Sequence, residues 1–145
     1  MRHITFAILF ATVSLAAMAQ KPEVFSTKDG AIRGYDPVSY FTDSVPQKGK
    51  PEFVVDFKNA KWYFVSAKNA ELFKADPEKY APQFGGYCAF GMSRGYKAET
   101  QPDAWTIVDS KLYLNYNVKV REEWSKKQAE LIAKAVANWP KVKSE

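Results

Sequence analysis

Apolar positions recur along this chain with two different periods, and the switch between them lays out the elements. "EFVVDF" (52–57) and "KWYFV" (61–65) are β-branched and aromatic runs of strand length, separated by Lys58-Asn59-Ala60, which predicts a β-hairpin. "AWTIV" (104–108) and "KLYLN" (111–115) repeat the arrangement around Asp109-Ser110, a two-residue loop without the glycine such turns favour. Between the hairpins, Ser66 is placed to cap a helix that carries Ala70, Leu72 and Phe73 and ends before Pro77. Upstream, Asp36 is placed to cap a short helix starting at Pro37, and the turn-rich "DSVPQKGKP" predicts an exposed loop. Toward the end the period becomes helical. Over 118–139, Val120, Trp124, Leu131, Ile132, Ala135, Val136 and Trp139 share one stripe, with Asn117 as cap and Pro140 as stop. The opposite face offers Glu122–Lys126, Glu123–Lys127 and Glu130–Lys134 as i,i+4 pairs. The pattern predicts an α+β domain: a small antiparallel sheet, short helices, and a long C-terminal amphipathic helix.

The first nineteen residues follow another logic. A short basic start (Met1-Arg2-His3) precedes an apolar run, and Ala17-Met18-Ala19 supplies the small-x-small pattern of a signal-peptidase site. The apolar run is shorter than the ~20 residues a bilayer span requires. Residues 1–19 therefore read as a signal peptide cleaved between Ala19 and Gln20, which implies an exported chain, periplasmic or secreted, with no stable membrane span after processing. Residues 20–33 read as a loose polar leader, 34–140 as the domain, and 141–145 as a tail.

Charge narrows the partners. The full chain carries a net charge of +5, and loss of the leader removes Arg2 and the only histidine, His3. Both signs are interspersed along the remainder, without the clustered basic patch of a nucleic-acid binder. The alternating charges of the last helix favour docking on the domain over lying on a membrane. Asp36, Asp56, Asp76, Asp103 and Asp109 all fall at caps, turns or strand ends, where a carboxylate has local structural uses, so none is assigned to catalysis.

"GYDPVSYF", "WYFVSAKNAELFKADPEKYAPQFGGYCAFG" and "PDAWTIVDSKLYLNYN" together resemble the YHS domain family, in its exported branch, over about residues 34–139. The resemblance implies a treble-clef-like fold. It also implies an association with metal, since related modules bind metal through cysteines and occur attached to copper-transporting ATPases. The positions matching those cysteines hold Ser39, Val65 and Asn69. A hydroxyl, an isopropyl group and an amide do not replace polarisable thiolates, so the metal site of the family is not carried over.

One cysteine remains, Cys88, in "GGYCAFGM". Four readings compete for it. As a nucleophile of a thiol-dependent redox or acyl-transfer enzyme it needs a base, and the processed chain has no histidine. With Met92, at helical spacing, it offers a thiolate and a thioether to copper(I). Exposed, it would serve as a redox-responsive or dimer-forming thiol. Flanked by Tyr87, Ala89 and Phe90, it has the surroundings of a buried small hydrophobe, and burial is the reading these flanks favour. On that reading serine at position 88 costs more than alanine, because a hydroxyl is buried without a partner. Gly85-Gly86 predicts a tight corner and not a phosphate cradle, and Tyr35, Tyr40, Tyr87, Tyr96, Trp62 and Trp105 are candidates to line an apolar pocket, half of them expected in the core. The function expected is that of a non-enzymatic binding or interaction domain for an unknown small molecule or protein partner, with no required cofactor. A copper(I)-handling accessory and a Cys88 enzyme stand as alternatives.

Overall fold

A computed structural model describes residues 20–145 and shows a mixed α+β domain. The expected signal peptide, 1–19, lies outside the described residues. The strands divide among three two-stranded antiparallel sheets: β1 (Ser26–Thr27) with β2 (Gly30–Ala31), β3 (Lys50–Phe57) with β4 (Ala60–Phe64), and β5 (Trp105–Val108) with β6 (Lys111–Leu114). The helices are α1 (Ser39–Thr42), α2 (Ala67–Ala75), α3 (Pro77–Tyr80), α4 (Ala89–Ser93), α5 (Val118–Ser125) and α6 (Gln128–Val142). None of these is long and apolar enough to cross a membrane.

Both long hairpins close through two residues in the left-handed region, Lys58-Asn59 (φ 51° and 58°) and Asp109-Ser110 (φ 50° and 62°). That conformation matches the right-handed twist of the strands, and Asn and Asp accept it at little cost in place of glycine. The caps form as the residue types dictate. Ser66 Oγ accepts from Asn69 N–H at 3.1 Å, Asp76 caps α3 with Pro77 at its first position, and Asn117 Oδ1 accepts from Val120 N–H at 2.8 Å.

Two apolar clusters share one wall. Period-two alternation sends Leu112 and Leu114 of β6 into a cluster with Trp62, Phe64 and Phe73, and sends Tyr113 into a second with Phe84, Met92 and Trp124. Phe73 anchors the first, its ring centroid 5.1 to 5.7 Å from those of Phe64, Trp62 and Phe57.

Several expectations change. The segment expected as a loose leader is packed: Val24 and Phe25 are buried, Phe25 N–H donates to Gly85 O at 2.8 Å, and the Tyr87 hydroxyl donates to Pro22 O at 2.7 Å. The single C-terminal helix is two. It breaks at Lys126-Lys127, where Lys127 leaves helical geometry (φ −133°, ψ 37°), and this lets both α5 and α6 pack on α4. Trp124, Ala135 and Val142 reach the core, whereas Val136, expected in the stripe, is 56% exposed. Glu130 pairs with Lys134 as expected, but Glu123 takes Lys126 at 2.7 Å in place of Lys127. Finally, Pro140 sits inside α6 and does not stop it. The carbonyl deprived of a partner by the proline belongs to exposed Val136, where water can serve it, and burial of Val142 holds the last turn.

Candidate functional site

The segment 85–98 folds back on itself around α4. Gly85 (φ 64°) and Gly86 (φ 84°) make the expected corner, and a Cβ on Gly85 would lie 1.8 Å from Glu23 O, so only glycine fits against the N-terminal segment. The chain then reaches Cys88, the N-cap of α4. Its N–H donates to Ala98 O at 2.9 Å, its thiol donates to Asn115 Oδ1 at 3.4 Å, and its sulfur accepts from Gly91 N–H at 3.5 Å. Beyond α4, Gly95 (φ 85°) turns the chain so that Tyr96 N–H also bonds Gly91 O, which sets Arg94 and Tyr96 on one rim.

Against this rim stand Tyr116 and the first turns of α5. Together they enclose a groove of about 510 Å³ lined by Cys88, Phe90, Gly91, Arg94, Tyr96, Ala98, Tyr116, Lys119, Val120 and Glu123. The floor is fixed from behind. Asn115 is fully buried, its N–H donates to Ala104 O at 2.9 Å, and its Oδ1 accepts from Phe90 N–H at 3.1 Å as well as from the Cys88 thiol. Its Nδ2 and the indole N–H of Trp124 meet no acceptor among the described residues. Tyr96 is 50% and Tyr116 45% exposed, the two exposed aromatic side chains among the described residues. The Arg94 guanidinium lies over the Phe90 ring, 4.5 Å from its centroid, a cation–π contact.

The sequence-predicted residues are placed as follows. Cys88 and Met92 are both buried; the first borders the groove, and the second packs in the core with Phe84, Tyr113 and Trp124. Of the six candidate aromatics, Tyr40, Tyr87 and Trp62 are buried, Trp105 lies tilted against Tyr40 with centroids 5.4 Å apart, Tyr35 is half-buried beside Lys48, and Tyr96 alone lines the groove. The sequence reading missed Tyr116, Lys119 and Val120 as groove residues. Their one signal was a tyrosine pointing outward just beyond a strand, beside the start of an amphipathic helix.

Ser39, Val65 and Asn69 do converge, on Asp36. Its buried carboxylate accepts from Val38 N–H (2.8 Å) and Ser39 N–H (3.3 Å) on Oδ1, and from Val65 N–H (2.9 Å) and Asn69 Nδ2–H (2.8 Å) on Oδ2. The Ser39 hydroxyl is spent on Asp36 O and Val45 O. A metal ion needs electron-pair donors, and this point presents N–H groups to a carboxylate, so the residues present do not fit the metal that the resemblance implies. Among the described residues, no group of three or more His, Cys, Asp or Glu side chains is arranged to hold a metal ion.

A second cleft, of about 360 Å³, lies beside Phe84, Trp139 and Lys58, but Lys58 is already held by Glu23 at 3.2 Å and Glu78 at 3.1 Å. Compared with protein-family models, with curated proteins and with solved structures, the chain returns no match.

Proposed function

We propose that this chain is an exported, non-enzymatic binding domain of YHS type, with a treble-clef-like fold, and that the groove between α4 and α5 is its binding site for a small molecule with an apolar body. The observation that carries the reading is the pair Tyr96 and Tyr116. This domain buries or half-buries every other described aromatic side chain, yet these two stand open on either side of an apolar concavity. Exposed aromatic surface costs stability, and a groove of several hundred Å³ flanked by it has the size and lining of a ligand site. The thiol at its floor favours binding over catalysis, because the polar group it faces is an amide oxygen, which cannot take its proton. Export rests on the basic start, apolar run and Ala17-Met18-Ala19 site.

Two measurements test the proposal. Protein recovered from the envelope or medium of an exporting host has the intact mass of a chain beginning at Gln20; retention of Met1 overturns export. A set of small aromatic fragments added to ¹⁵N-labelled protein shifts the amides of Phe90, Tyr96, Tyr116 and Val120. Shifts confined to the cleft beside Trp139, or none at all, overturn the assignment of the groove.

A further inference from the structure

We infer that the ligand of the groove is a small amphipathic anion, an alkyl or aryl carboxylate, its apolar body against Phe90, Tyr96, Tyr116 and Val120 and its charged end on Arg94 and Lys119. The inference rests on the groove being the binding site, and it follows from the charges around the rim. Three charged residues line the groove: Arg94, Lys119 and Glu123. The Glu123 carboxylate is held by Lys126 Nζ at 2.7 Å, so its charge is locally neutralised. Arg94 and Lys119 enter no ion pair among the described residues, so nothing at the rim offsets their charge. The rim therefore carries an unbalanced positive charge above an apolar wall.

Geometry narrows the anion. Placed over Phe90, the Arg94 guanidinium donates to no acceptor among the described residues, and its fork of N–H groups suits an acceptor that can meet two of them side by side. A planar carboxylate does this. Two cations suit an anionic end group, and the apolar lining excludes a ligand that is polar throughout, such as a sugar or a free inorganic ion. Lys119, a flexible point charge at the start of α5, adds attraction without a demand on shape.

The test uses the processed chain and three probes of equal length: octanoate, octan-1-ol and octylammonium. Each is titrated into ¹⁵N-labelled protein at low salt, with the amides of Phe90, Arg94, Tyr96 and Val120 as readout. Octanoate is expected to bind about tenfold or more tightly than octanol, the scale of a charge-assisted hydrogen-bonded pair, and octylammonium most weakly. Arg94→Gln brings octanoate down to the affinity of octanol and leaves octanol unchanged, and Lys119→Gln gives a smaller loss of the same kind. Equal binding of octanoate and octanol at these amides overturns the anionic ligand while leaving the groove as the site. Failure of all three probes to move these amides overturns both.

Discussion

Replacing Asp36 by asparagine is the most direct probe of what holds this fold together. Four N–H groups point at a carboxylate that is 0% exposed and forms no ion pair among the described residues, so these donors offset the cost of burying the charge. In Asp36→Asn the amide oxygen can keep the bonds from Val38 and Ser39, but an NH₂ group now faces Val65 N–H and the Asn69 amide. Asn69 can turn its amide over and accept from the new NH₂ group. Val65 N–H, partly buried, has no such recourse and is left without its acceptor, at about 1–2 kcal/mol. The two retained bonds also lose their ionic character, at roughly 0.5–1 kcal/mol each. The sum is about 3 kcal/mol, a large part of the 5–15 kcal/mol typical of a domain. With a urea m-value of about 1–3 kcal/mol/M, the unfolding midpoint falls by roughly 1–3 M. Asp36→Ala strands all four donors, and it is expected to leave little folded protein at room temperature. The assay is urea unfolding followed by tryptophan fluorescence, with Asn69→Ala and the double variant completing a cycle. The coupling energy expected between positions 36 and 69 is about 1–2 kcal/mol. A midpoint for Asp36→Asn within ~0.3 M of the parent, or no coupling to Asn69, would refute the argument.

Cys88 labels slowly with a thiol reagent in the native protein and rapidly in urea, since its side chain is buried; fast native labelling restores the reactive-thiol readings. Contrary to the sequence-based expectation, Cys88→Ser costs less than Cys88→Ala, because a hydroxyl can donate to Asn115 Oδ1 and accept from Gly91 N–H as an N-cap; the opposite order in unfolding midpoints overturns this. Burial pushes Tyr40, Tyr87 and Tyr113 above the ordinary phenol range, and the Tyr40 hydroxyl also donates to Pro102 O, which a phenolate cannot do. A raised folded-state pKa gives stability that is complete below the ordinary phenol pKa of about 10 and is lost as pH rises beyond it. Absorbance near 295 nm should therefore show some tyrosines ionising only as the circular dichroism of the fold is lost, and ionisation of all eight in one step with the fold intact contradicts it. Excess EDTA leaves the thermal midpoint unchanged, because Ser39, Val65 and Asn69 hold a carboxylate of the chain itself and not a metal ion; a drop of several degrees overturns that account.

What the sequence determined by itself was local. The hairpins around Lys58-Asn59 and Asp109-Ser110, the caps at Ser66, Asp76 and Asn117, and the α+β class follow from periods and capping groups that act over a few residues. The glycine corner was legible for the same reason, since one residue type alone tolerates that backbone. Tertiary structure decided the rest. Asp36 as a cap for Val38 and Ser39 was legible locally, but no spacing announces that Val65 and Asn69 donate to the same carboxylate, because they are brought to it by the whole fold. Pro140 carries a strong local preference to end a helix, yet packing of Val142 outweighs it. The break at Lys126-Lys127 has no glycine or proline to mark it, and it arises where two helices must each reach α4. The groove was the least legible feature. A tyrosine in the core and a tyrosine on a rim have the same side chain, and only the path of the chain decides that Tyr40 and Tyr87 are buried while Tyr96 and Tyr116 stay exposed.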